Sequence, residues 1–207
     1  MKKLLSLLIV LATLASCSSG SDDGTRLGNA LVAAWNDSTA LDSVLNAITT
    51  TRDDLTFTGS FDEALIEAAT KSDNVTIEMA AHLLTESDEN FAERQAHHIV
   101  EALLNGKCDR QTATARLNAG HEAAERLGRA QAGATLDAAI DEQAASLPLN
   151  DQMKVYSAAT TPANLGAALA RETDADKEDI EKRIEALRAI YSTEDFNTFI
   201  TSYNDNL

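Results

Sequence analysis

Ile180-Glu181-Lys182-Arg183-Ile184-Glu185-Ala186-Leu187-Arg188-Ala189-Ile190-Tyr191 decides the fold class. Ile180, Ile184, Leu187 and Tyr191 fall at i, i+4, i+7 and i+11, with Glu181, Lys182, Arg183 and Glu185 between them. At about 3.6 residues per turn this spacing makes one apolar stripe, the pattern of a helix laid on a core. Phe196, Phe199, Ile200 and Tyr203 repeat the stripe in the next segment. The stretch from Asn74 differs. Ile77, Ala80, Ala81 and Leu84 lie on one side of a helical projection, and Val75, Met79 and Leu83 on the other. A helix apolar on both sides belongs in an interior.

Composition extends this reading to the whole chain. There are only 2 Pro and 9 Gly, aromatic residues make up 4%, and Ala, Leu, Glu and Arg are abundant. That mixture favours helices that meet through small residues. We therefore expect an all-α fold, a single multi-helix bundle of about eight or nine helices. No fixed-period repeat occurs, so an irregular bundle is expected and not a solenoid. Local signals set boundaries: Asn74 as an N-cap, Asn105-Gly106 as a stop, and Thr161-Pro162 as a cap followed by proline at the first helical position. A long helix is expected from Asp109 to about Gln131, with Gly120, Ala124 and Gly128 forming a close-approach stripe. Leu55-Thr56-Phe57-Thr58 alternates like a strand but has no partner, which makes it an extended loop.

The N-terminus carries a different message. Lys2 and Lys3 precede an apolar run, Leu4 to Ala15, interrupted only by Ser6 and Thr13. The run is shorter than the roughly 20 residues a bilayer span needs, and small residues close it, as at a signal-peptide cleavage site. Leu14-Ala15-Ser16-Cys17 resembles the lipobox of bacterial lipoproteins. The resemblance implies that Cys17 is acylated and becomes the first mature residue, with several acyl chains giving stable membrane attachment. Ser18, in place of an aspartate, implies sorting to the outer membrane, at its periplasmic face or on the cell surface. The expected organisation is a signal peptide over 1–16, an acylated cysteine and flexible acidic tether over 17–25, and one helical domain over 26–207. With Cys17 lipidated, Cys108 has no intramolecular disulfide partner, and burial is its expected state.

Charge narrows the partners. The chain carries 17 Lys and Arg against 33 Asp and Glu, net −16; loss of Lys2 and Lys3 with the signal leaves 15 against 33, net −18. So acidic a surface repels nucleic acid and anionic headgroups, and it keeps the domain soluble.

One constellation invites metal chemistry. His82, His97, His98 and His121 fall on three successive expected helices, and Glu101 follows His97 at i+4 and His98 at i+3. Imidazoles and carboxylates on facing helices are how di-iron and zinc sites are assembled. His98-Ile99-Val100-Glu101 is similar to the His-x-x-Glu of imelysin-type iron-uptake proteins, although Ala96 stands where those proteins have glycine. Side-chain stacking on the helix surface explains the same spacings without a metal. No nucleophile elbow, phosphate loop, dinucleotide fingerprint or zinc-protease motif occurs. The expectation is a non-catalytic, lipid-anchored interaction or accessory module of the outer membrane. It has no cofactor beyond the lipid on Cys17, meets the membrane through that lipid, has room for a protein partner, and shows no identifiable small-molecule substrate. The alternative is an iron- or zinc-binding lipoprotein using His82, His97, His98, Glu101 and His121.

Overall fold

A computed structural model describes residues 20–172 and 176–207, all helices and connecting turns with no strand among them. The helices are α1 (Gly20–Ala34), α2 (Ser38–Asp53), α3 (Gly59–Thr70), α4 (Val75–Thr85), α5 (Asp88–Leu104), α6 (Arg110–Arg126), α7 (Ala130–Ala145), α8 (Leu149–Ala159), α9 (Pro162–Ala170), α10 (Lys177–Ile190) and α11 (Thr193–Asn206). The all-α expectation holds, with bundle-like packing. Eleven helices are described, not eight or nine. The segments are short and separated by caps: α8 stops at Ala159, and the Thr161 hydroxyl accepts from the Asn164 N–H to start α9, as the Thr161-Pro162 signal predicts. The signal peptide and Cys17 lie outside the described residues.

Where one helical domain is expected over 26–207, contacts group the described residues into two compact units. The first holds 20–87 with 122–127, and the second holds 88–121 with 128–172 and 176–207.

In the first unit, α1 packs on α3 and α2, and α3 packs on α4. The flexible tether expected to run to residue 25 is overturned from Gly20 onward, because those residues are the first turns of α1. The cause is packing. Gly24 and Gly28 are buried, and a Cβ on them would stand 2.3 Å from the Phe61 carbonyl oxygen and 2.7 Å from the Ala68 Cβ. The two helices touch through backbone, which orders the acidic Asp22-Asp23 turn as helix. On α4, Ile77, Met79, Ala80, Ala81 and Leu83 are all buried, as a helix apolar on both sides requires. The Asn74 side chain accepts from the N–H groups of Thr76 and Ile77, confirming the expected cap. Trp35 is buried; the Arg126 guanidinium lies 4.9 Å from its ring centroid and donates to its carbonyl at 2.6 Å. The Leu55–Thr58 stretch is irregular, and Phe57 is 79% exposed.

In the second unit, α5 packs on α7, α8 contacts α7 and α10, and α9 packs on α11. The long helix expected to reach Gln131 ends at Arg126. Gly128 has φ +67° and nothing within 4 Å of its Cβ position, so it turns the chain into α7 and takes no part in helix packing. A left-handed residue past a helix end favours glycine. Gly120 keeps the close-approach role, with its Cβ position 2.9 Å from Leu136 Cδ2. One core cluster of this unit joins Met153, Leu169, Ile180, Leu187, Tyr191 and Phe199, so the stripes on α10 and α11 face inward as their spacing predicts.

Two outcomes follow from this packing. Alanine is about 1 kcal/mol better than glycine inside a helix, but a methyl at position 24 meets a backbone carbonyl that cannot turn aside, and overpacking costs about 1–3 kcal/mol. Gly24→Ala should therefore lower the urea midpoint of the first unit, read by Trp35 fluorescence. Gly120→Ala meets only the tip of a leucine and should stay within about 1 kcal/mol of wild type. The second outcome concerns Tyr191, which is 7% exposed, with a hydroxyl that has no hydrogen-bond partner among the described residues. Burial pushes its pKa up to about 12, against the opposing pull of Arg110. The unfolded phenol ionises near 10, so stability present below that pH is lost as pH rises toward 12, by about 2–3 kcal/mol. Tyr191→Phe should remove that alkaline loss while leaving neutral-pH stability nearly unchanged, as paired denaturation curves at pH 8 and pH 11.5 will register.

Candidate functional site

The second unit contains a half-enclosed cleft of about 600 Å³. Its walls are Met153 and Tyr156 from α8, Leu165 and Leu169 from α9, and Leu187 from α10. Met153, Leu169 and Leu187 belong to the core cluster, so the cleft opens directly onto the hydrophobic interior. Its polar groups are Asp141 on α7, Gln152 and Thr160 at either end of α8, Glu172 after α9, and Arg183 on α10. A volume in the range of small-ligand pockets, apolar walls and a few convergent polar groups are the marks of a binding site.

The charges are arranged asymmetrically. Arg183 donates from Nη1 to Glu172 Oε2 at 2.8 Å and from Nη2 to Asp179 Oδ2 at 2.7 Å. Two carboxylates thus bracket the one guanidinium, whose buried Nε has no partner among the described residues. Asp141 has no cationic partner among them either. Partial loss of water, and the negative charge of Asp137 one helical turn earlier, hold its carboxyl above the usual carboxylate range. Tyr156 is pushed above the ordinary phenol range, first by burial and then by the Asp141 carboxylate; Arg183 opposes this and Glu172 adds to it. Tyr156 is therefore a neutral phenol at physiological pH, a hydrogen-bonding group on an apolar wall. A more open depression of about 730 Å³ along α11 is lined by Thr193, Glu194, Asn197, Thr198 and Asp205, none of them a member of the core cluster.

The histidines do not come together as a ligand set. Among the described residues, no three His, Cys, Asp or Glu side chains are placed to share a metal ion. Each imidazole that makes an ion pair does so with a carboxylate close by. His82 Nδ1 lies 3.2 Å from Glu86 Oε1, His97 Nε2 3.7 Å from Glu101 Oε2, and His121 Nε2 2.9 Å from Asp137 Oδ1. His97 and His98 are both exposed on α5, and His82 belongs to the first unit while the other three belong to the second. Gly133 lets His121 approach, since a Cβ there would lie 2.8 Å from its Nδ1. The i, i+4 spacing on α5 thus reflects a helix-surface pair. Cys108 is a free, half-buried thiol between α5 and α6.

Asp141, Tyr156, Glu172 and Arg183 escape any reading of local spacing, because they sit on separate elements with unremarkable intervals. Arg183 is visible in the sequence only as one of the charges between the stripe residues of α10. No helix among the described residues is long and apolar enough to cross a membrane. Compared with known proteins, the chain matches no family model, and no curated protein or solved structure matches it.

The raised pKa of Asp141 carries a stability consequence. The unfolded carboxyl ionises first as pH rises, so the fold loses stability between the unfolded carboxylate range and the higher folded value. Asp141→Asn should raise the melting temperature at pH 7, and the difference should vanish below about pH 3, where both carboxyls are protonated. A scanning calorimetry series from pH 3 to pH 7 checks this.

Proposed function

We propose that this protein is a lipid-anchored helical module of the outer membrane, attached through Cys17, that acts by non-covalent binding and not by catalysis. The observation that carries the binding role is the cleft of the second unit, an apolar slot of ligand size that opens onto the core. Its groups suit recognition. The phenol of Tyr156 stays protonated, and the guanidinium of Arg183 is already bracketed by Glu172 and Asp179. The anchor rests on Leu14-Ala15-Ser16-Cys17 and the basic, apolar run before it. Two or more acyl chains bind membranes stably where one is marginal. The acidic surface complements this, since it is repelled by anionic headgroups and leaves the lipid as the point of attachment.

Expression of the full chain in a Gram-negative bacterium tests the anchor. The wild-type protein should incorporate labelled palmitate, sediment with outer membranes, and yield a mature N-terminal peptide whose mass carries the acyl chains on Cys17. Cys17→Ser should lose the label and leave the membrane fraction. A wild-type chain that is secreted unlabelled would overturn the lipid anchor and leave the cleft's binding role to be judged separately.

A further inference from the structure

We propose that the cleft of the second unit binds a small organic cation, an amine or quaternary ammonium carried on an apolar body. This deepens the binding role proposed above and rests on it. The apolar walls, Met153, Leu165, Leu169 and Leu187, set the body of the ligand. Charge sets its head. Among the described residues lining the cleft Arg183 alone is basic, and it is held between Glu172 and Asp179 at 2.8 and 2.7 Å. That leaves Asp141 on the rim without a cationic partner among the described residues, one turn from a second carboxylate, Asp137. Asp137 in turn faces His121 at 2.9 Å. Among the described residues lining the cleft, two carboxylates, Asp141 and Glu172, stand against one arginine, which also pairs with Asp179 outside the lining.

An anionic head would meet Asp141 and Glu172 with no unpaired cation among the described lining residues to offset them. A neutral apolar molecule would fill the walls but leave the Asp141 carboxylate unused. A cation placed at the rim neutralises that carboxylate and leaves the Arg183 clamp intact. The ring of Tyr156 adds a face that attracts cations when they approach within about 6 Å. The buried Nε–H of Arg183 supplies one donor for an ether, hydroxyl or carbonyl oxygen on the ligand body.

The test uses three probes of equal chain length on the purified full-length mature protein: octyltrimethylammonium, 1-octanol and octanoate, each well below self-association. Titration followed by amide NMR should map shifts to α7, α8, α9 and α10. The ammonium should bind at least tenfold more tightly than the alcohol or the carboxylate. Asp141→Asn, which should fold at least as well as wild type, should cut that preference to threefold or less, and Asp141→Glu should restore most of it. Equal affinity for all three probes would overturn the charge assignment and leave a purely apolar binding cleft. Ammonium-induced shifts scattered over acidic surfaces, or no shifts in the cleft residues with any probe, would overturn the site itself. The palmitate-labelling result is independent of each of these outcomes.

Discussion

Backbone-to-backbone contact between helices is the constraint on which the rest of this structure depends. At Gly24 and Gly28 the first helix rests on the main chain of α3. At Gly166, α9 rests on α11, with a Cβ position 2.3 Å from the Phe199 carbonyl oxygen. At that distance no side chain other than hydrogen fits, so each contact specifies both the pair of helices and the register at which they meet. A chain with 4% aromatic residues has few large side chains to fill gaps. It compensates by removing the gaps: alanine and glycine bring the helices close, and the core is dense because its helices nearly touch. Buried alanines such as Ala68, Ala69, Ala80, Ala81 and Ala123 in the first unit, and Ala92 and Ala96 in the second, are the same solution repeated.

The cleft is the place where this solution is relaxed. Around α8, large residues replace small ones, and Met153, Leu165, Leu169 and Leu187 leave room between them. Those residues also form the wall of the second unit's core, so the pocket is held by the same contacts that stabilise the fold. The ion pairs of Arg183 tie α10 to the end of α9 through Glu172 and also reach Asp179 within α10. A guanidinium bridging two carboxylates has a defined position, and it gives the cleft a rigid charged edge. Asp141 is different: it is exposed at the cleft, and partial loss of water and the nearby charge of Asp137 hold its carboxyl above the usual carboxylate range.

Much of the secondary structure is legible in the sequence. The stripe on α10, the two-sided apolar pattern of α4, the Asn74 cap and the Thr161-Pro162 start depend on residues within a few positions of one another. Where the reading fails, a distant residue decides. Acidic, glycine-containing Gly20–Gly24 reads as a tether until Phe61 is placed against it. Gly128 reads as part of a packing stripe until its positive φ shows that the chain turns there. For the histidines, local spacing allows either a ligand set or helix-surface pairs; the structure gives His82, His97 and His121 carboxylate neighbours and leaves His98 exposed. The candidate cleft was not legible at all, since its polar groups lie on four separate elements.

By itself, the sequence determined the all-α class, most helix boundaries, the acidic surface and the lipobox-like stretch ending at Cys17. Each of these is written in composition or in neighbours along one helix or segment. Only the tertiary structure decided that two compact units form, that Gly20–Gly24 is helical, that no three metal-ligand side chains meet among the described residues, and that Asp141 faces a slot opened by Leu169 and Leu187. The physical reason is the range of the forces involved. Helix periodicity and capping act over a few residues of chain, whereas close packing and charge act across space, between residues whose separation in sequence says nothing about their distance.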